Sequence, residues 1–350
     1  MAMTRAIGRR SVSVAALILG TGLTFSPLAA QSGAPAAGAG SGRIRVVTVA
    51  QRGLPPTGPA AVVIEHDQTL ATHTIYRPAD LGGAKHGVLV WGEGGCAKNG
   101  LTFPEFLTEI ASHGFVIIAD GPPVENAGRG GAPGAGGAPG APGAPGAPAA
   151  PGAGAPRAGG PAAGSRAGGA PGNAAMTDGS ALVAAIDWIG KESNDRSSRF
   201  YQKVDVSHVA AMGMSCGGLM SYGASADPRV ATVGIWNSGL IQPDEKIFVG
   251  LHSPVIIVTG GESDIAYANG KRDFETMPAK IPVFYGVHPS VGHGGTYNED
   301  NGGAFGVAAV AWLNWQLMND TSATGRGYFV GANCGMCNDA KWKVASRGLP

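Results

Sequence analysis

Val209-Ala-Ala-Met-Gly-Met-Ser215-Cys-Gly-Gly218 is the stretch that decides the fold of this 350-residue chain. Four apolar residues, Val209 to Met212, read as a strand entering a G-x-S-x-G pattern at Gly213–Gly217. Gly218–Ala226 then reads as a helix. Strand, sharp turn and helix in that order lift a serine hydroxyl clear of the C-terminal end of a sheet. The turn strains the serine backbone, and glycines on both sides remove the Cβ atoms that would clash there. Ser215 is therefore the candidate nucleophile. The competing reading is a serine in an ordinary turn of a glycine-rich chain.

Working outward, short apolar runs alternate with helical segments. Strands are predicted at His73–Arg77, Gly87–Trp91, Phe115–Ala119, Val209–Met214, Val230–Trp236, Pro254–Thr259 and Ile281–Tyr285. Helices are predicted at Phe103–Ser112, Ala181–Lys191, Gly218–Ala226 and Phe305–Met318. Most of these strands lack polar alternation, as expected of strands buried on both faces. The βαβα order predicts an α/β domain, a mostly parallel central sheet with helices on both faces.

The composition first points elsewhere. Glycine supplies 59 residues, about 17% of the chain against a usual share of about 7%. It is densest in Ala127–Gly172, 46 residues with 17 Gly, 16 Ala and 9 Pro and no acid or aromatic ring. Its Gly-X-Y phase breaks at Ala149-Ala150-Pro151, which excludes a collagen-like fibre. Residues 127–172 read as a low-complexity disordered insert within a catalytic domain spanning 62–350. Residues 31–61 read as a flexible lead-in, Gly/Ala-rich over Gln31–Gly42.

Residues 1–30 read as a secretory signal, with Arg5, Arg9 and Arg10, an apolar run Val12–Phe25 and the small pair Ala29-Ala30. Sec export is preferred over Tat, because the residues after Arg9-Arg10 match a twin-arginine signal poorly. A secreted or periplasmic protein is expected, without a stable membrane anchor. Outside the signal and the insert, 19 Lys plus Arg face 24 acids. That mildly acidic body offers no basic stripe for nucleic acid. For an exported chain, disulfides are the default use of Cys96, Cys216, Cys334 and Cys337. Cys334-Gly-Met-Cys337 lacks two further ligands for zinc, so no metal site is expected there.

A serine hydroxyl needs an adjacent base. His293, in Val291-Gly-His-Gly-Gly295, follows the last predicted parallel strand and is preferred to His288. The acid that orients it should follow the Pro254–Thr259 strand, which selects Asp264 over Glu262, Asp273 and Asp244.

The order Ser215, Asp264, His293 resembles that of the α/β-hydrolase superfamily, over about Val62 to Asn319. The segments Gly261-Glu-Ser-Asp264-Ile-Ala and Trp236-Asn-Ser look closest to secreted esterases of the dienelactone-hydrolase, cutinase-like and polyester-hydrolase kind. The resemblance implies the α/β-hydrolase fold and hydrolysis of a small-molecule or polymeric ester through an acyl-enzyme, without metal or organic cofactor.

An oxyanion hole is then required. The Cys216 amide is one expected donor. Gly95 or Cys96, in Gly92-Glu-Gly-Gly-Cys-Ala97, is the other, although Glu93 stands where the superfamily often has His. Two donors aimed at one oxygen bring their backbones within disulfide reach, so Cys96–Cys216 and Cys334–Cys337 are the expected pairs. Trp236 and Tyr297 are candidate substrate-lining residues, with core packing as the competing reading for Trp236. Amide or peptide cleavage and acyl transfer would use the same residues, and a non-catalytic binding protein on this fold is the remaining alternative.

Overall fold

The computed structural model describes residues 42–125 and 176–350. The signal at 1–30 and the insert at 127–172 lie outside the described residues, as does most of the Gly/Ala-rich part of the lead-in.

Ten strands form one sheet: β1 Ile44–Val47, β2 Val62–Asp67, β3 His73–Pro78, β4 His86–Gly92, β5 Val116–Asp120, β6 Val204–Met214, β7 Val230–Trp236, β8 Val255–Gly260, β9 Val283–His288 and β10 Lys343–Arg347. Their spatial order is β1-β2-β3-β5-β4-β6-β7-β8-β9-β10. The six strands from β5 to β9 are mutually parallel. The pairs β1–β2, β2–β3, β3–β5 and β9–β10 are antiparallel.

Among the described residues, five helices of nine or more residues pack on the sheet: α1 Pro104–Ser112, α2 Ser180–Asn194, α3 Cys216–Ala224, α4 Tyr267–Thr276 and α5 Gly303–Met318. Side chains of a strand alternate between faces, and two apolar layers result. Leu89, Trp91, Ala210, Met212 and Met214 pack with α1 and α5. Val88, Val90, Val209 and Ala211 pack with α2 and α3. This is the expected α/β arrangement, a mostly parallel sheet with helices on both faces.

The predicted strands and helices are all present, displaced at their ends by up to five residues. Four elements went unpredicted. Ile44–Val47, inside the expected lead-in, is an edge strand paired with β2. β2 and β10 carry mixed polar sequences, and α4 has three exposed or half-exposed charged residues that hide its single buried face. Among the described residues, no helix is long and apolar enough to cross a membrane.

Candidate active site

Parallel strands deliver their C-terminal ends to one edge of the sheet. There β6 ends at Met214, β7 at Trp236, β8 at Gly260 and β9 at His288. Ser215, Asp264 and His293 follow three of these ends, so distant parts of the chain meet without a long loop.

Ser215 has φ 53° and ψ −115°, a left-handed backbone that costs a non-glycine residue strain. Its amide donates to the Trp236 carbonyl (2.8 Å), and its carbonyl accepts from Ser238 Oγ (2.6 Å). The helix α3 begins at once. Gly92 and Gly213 are partners in the β4–β6 ladder. A Cβ on Gly92 would stand 2.6 Å from the Gly217 Cα, and one on Gly213 would stand 2.7 Å from the Gly92 carbonyl oxygen. The elbow and the end of β4 therefore touch backbone to backbone, which only glycine allows.

His293 Nε2 lies 2.9 Å from Ser215 Oγ, and His293 Nδ1 lies 2.6 Å from Asp264 Oδ1. The carboxylate is an acceptor only, so Nδ1 carries the proton and Nε2 faces the serine hydroxyl as acceptor. Asp264 has no exposed side-chain surface. Burial pushes its carboxyl up, but donors from His293, the Ala266 amide, Asn237 and the Gly260 amide outweigh burial and hold it below the usual range. The ionised form is thus the native form, with four donors on two oxygens.

The rivals lie elsewhere. His288 ends β9, buried, with its ring 5.1 Å from that of Trp342. Asp273 is buried in α4, where it accepts from Tyr222 Oη (3.1 Å) and the Leu240 amide (2.7 Å). Glu262 is exposed, and Asp244 caps a one-turn helix.

Cys216 opens α3, so its N–H is among the first-turn amides that lack an intrahelical acceptor. The segment Gly94–Cys96 makes a single tight turn, with φ 64° at Gly95 and 52° at Cys96. Cys96 is bonded to Cys216 with the Cα atoms 5.2 Å apart, and Cys334 to Cys337 at the same separation. The first bridge pins this exposed turn beside the residue after Ser215. Glu93 is fully buried, and burial pushes its carboxyl well above the usual range. It sits beneath the turn rather than at the surface. Among the described residues, no group of three or more His, Cys, Asp or Glu is arranged to hold a metal ion.

Two residues expected to line a pocket are instead core. Trp236 has no exposed surface and packs between Phe106 (5.9 Å) and Phe305 (5.8 Å). As the last residue of β7 it points into the apolar layer under α1 and α5. Tyr297 is also fully buried, its ring 4.7 Å from that of Phe103, and its hydroxyl donates to Asn237 Oδ1 (2.7 Å). Of the glycines around His293, Gly294 borders open space, whereas Gly295 has φ 55° and backs onto the Tyr297 and Phe305 rings. Asn237 figures in the sequence only as the middle of Trp236-Asn-Ser; the signal for its place in the site is a polar residue at a strand end beside the strand that leads to Asp264.

No protein-family model matches the chain, and a search of curated proteins finds no match.

Proposed function

We propose that this protein is an exported serine hydrolase of the α/β-hydrolase fold that cleaves carboxylic esters. The observation that carries the reading is the unbroken relay from Ser215 Oγ to His293 and on to Asp264, at 2.9 and 2.6 Å. His293 takes the serine proton through Nε2 as Oγ attacks the ester carbonyl. Asp264 holds the ring in the required tautomer and offsets the positive charge that forms on it. The Cys216 amide, with Gly95 or Cys96 from the pinned turn, receives the developing oxyanion. His293 then protonates the leaving alcohol. Water, activated by the same nitrogen, attacks the acyl-enzyme and frees the acid. The two disulfides favour an oxidising compartment, in keeping with export.

Hydrolysis of p-nitrophenyl esters of increasing acyl length, beside matched anilides and a polyester film, tests the reading. Release of p-nitrophenol by the native chain, abolished in Ser215→Ala, is the expected result. Cleavage of anilides in preference to esters would move the assignment to amide chemistry. Equal rates for the native chain and Ser215→Ala would remove it.

A further inference from the structure

We infer that Asn237 is a positioning residue for the acid and base of this site, and that Tyr297 sets the direction of its amide. The inference rests on the serine-hydrolase reading above and adds two residues to it.

Asn237 directly follows β7 and has φ 41°, a left-handed conformation in which Asn is several-fold enriched. Its backbone amide donates to the Val258 carbonyl at 2.7 Å, which fixes the residue against β8. Its side chain is fully buried. Nδ2 donates to Asp264 Oδ2 at 2.8 Å and reaches the Gly292 carbonyl at 3.4 Å. One amide group thus bridges the acid and the backbone next to His293.

The amide has two possible orientations, and its partners choose between them. A flip would turn the carbonyl oxygen toward a carboxylate and a second carbonyl, both acceptors only. On the other side, Tyr297 Oη lies 2.7 Å from Oδ1 and donates to it. Burial pushes the Tyr297 phenol well above its usual range, and the Asp264 charge adds to this. It therefore stays a donor through the working pH range. The other titratable groups around Asp264 are His293, Tyr285 (pushed up to about 12, by burial foremost), Glu262 in the same loop, and His288, paired with Gly260 across β8 and β9.

Flanking residues give the segment a second role. The Trp236 carbonyl accepts from the Ser215 amide and Ser238 Oγ donates to the Ser215 carbonyl. Three consecutive residues therefore hold the nucleophile's backbone and the acid's carboxylate in one frame. None of them is placed to touch substrate through its buried side chain, so the effect should fall on kcat.

The test compares wild type, Ser215→Ala, Asn237→Ala, Asn237→Asp and Tyr297→Phe. It measures kcat and KM for a p-nitrophenyl ester across pH, with active sites counted by fluorophosphonate stoichiometry. Asn237→Ala should lose roughly 10–100-fold in kcat per active site with KM little changed. The acid limb of its profile should move to higher pH, because an Asp264 carboxylate short of one donor binds a charged imidazole more strongly. Asn237→Asp keeps the shape. It should stay nearest to wild type at low pH, where the new carboxyl is protonated and still donates, and fall away as it ionises against Asp264. Tyr297→Phe should lose roughly three- to tenfold in kcat. Variants whose activity falls only in proportion to active-site count, with unmoved pH profiles, would make Asn237 and Tyr297 scaffold and overturn the inference. A wild type no faster than Ser215→Ala would instead overturn the hydrolase reading, and the inference with it.

Discussion

At the residue scale, chemistry depends on a few atoms held against their preferences. Ser215 keeps a left-handed backbone because the Trp236 carbonyl and Ser238 hydroxyl grip it on either side. Asp264 keeps its charge although buried, because four donors surround it. Replacing that acid should show its worth. Asp264→Asn should fold, since the shape is kept, yet lose on the order of 10⁴ in kcat by favouring the wrong tautomer of His293. Steady-state kinetics on a p-nitrophenyl ester checks this, and a loss under tenfold would mean that the acid is dispensable. The three members of the relay were legible in the sequence, because strand ends followed by a serine, an acid and a histidine keep their order. Trp236 and Tyr297 are numbered beside the site but belong to the core: the alternation of β7 turns Trp236 inward, and Tyr297, in a turn, is buried against Phe103 and Phe106. Asn237 was legible only as part of Trp236-Asn-Ser; its contacts with Asp264 and Tyr297 were not, since those partners lie 27 and 60 residues away.

Individual elements set how firmly those atoms are held. The Cys96–Cys216 bridge closes a separation of 120 residues and ties the turn after β4 to the start of α3. Loop-closure entropy of that size corresponds to about 5 kcal/mol as an upper value. The Cys96→Ser, Cys216→Ser double variant should melt at lower temperature and lose kcat, because the Gly95–Cys96 amides are then free to drift from the oxyanion position. Thermal melting and kinetics check it; a variant with lower Tm and unchanged kcat would leave the bridge a staple alone. Helix α4 makes a different prediction. Burial raises the Asp273 carboxyl to about 6, against hydrogen bonds from the Leu240 amide and Tyr222. A carboxyl raised on folding binds its proton more readily in the native state, so stability falls as pH rises from about 4 to 6 and stays lower above. The penalty is about 3 kcal/mol at most. Asp273→Asn should therefore match wild type near pH 4 and exceed its Tm at pH 7. Parallel stability–pH curves for the two would contradict the assignment. The elements that escaped prediction were the edge strands β1 and β10, the strand β2 beside β1, and the helix α4, which bury too little apolar surface to leave a periodic signal.

Across the whole molecule, the chain's most visible compositional feature proved the least informative about its chemistry. Seventeen of the 59 glycines lie at 127–172, outside the described residues. The informative glycines, Gly92 and Gly213, are two residues where β4 and β6 must touch without side chains. The fold class was legible because strands buried on both faces are continuously apolar, a signal the insert interrupts but does not erase. What unites the scales is one edge of a parallel sheet, where the ends of four consecutive strands lead to Ser215, the Asn237 amide, Asp264 and His293. The most direct test of that convergence is mass-spectrometric mapping of a fluorophosphonate label on the native, disulfide-bonded protein. The account predicts one adduct per chain, on Ser215, with labelling lost in Ser215→Ala and strongly slowed in His293→Ala. No adduct on the native chain, or an adduct on another residue that survives Ser215→Ala, would contradict it.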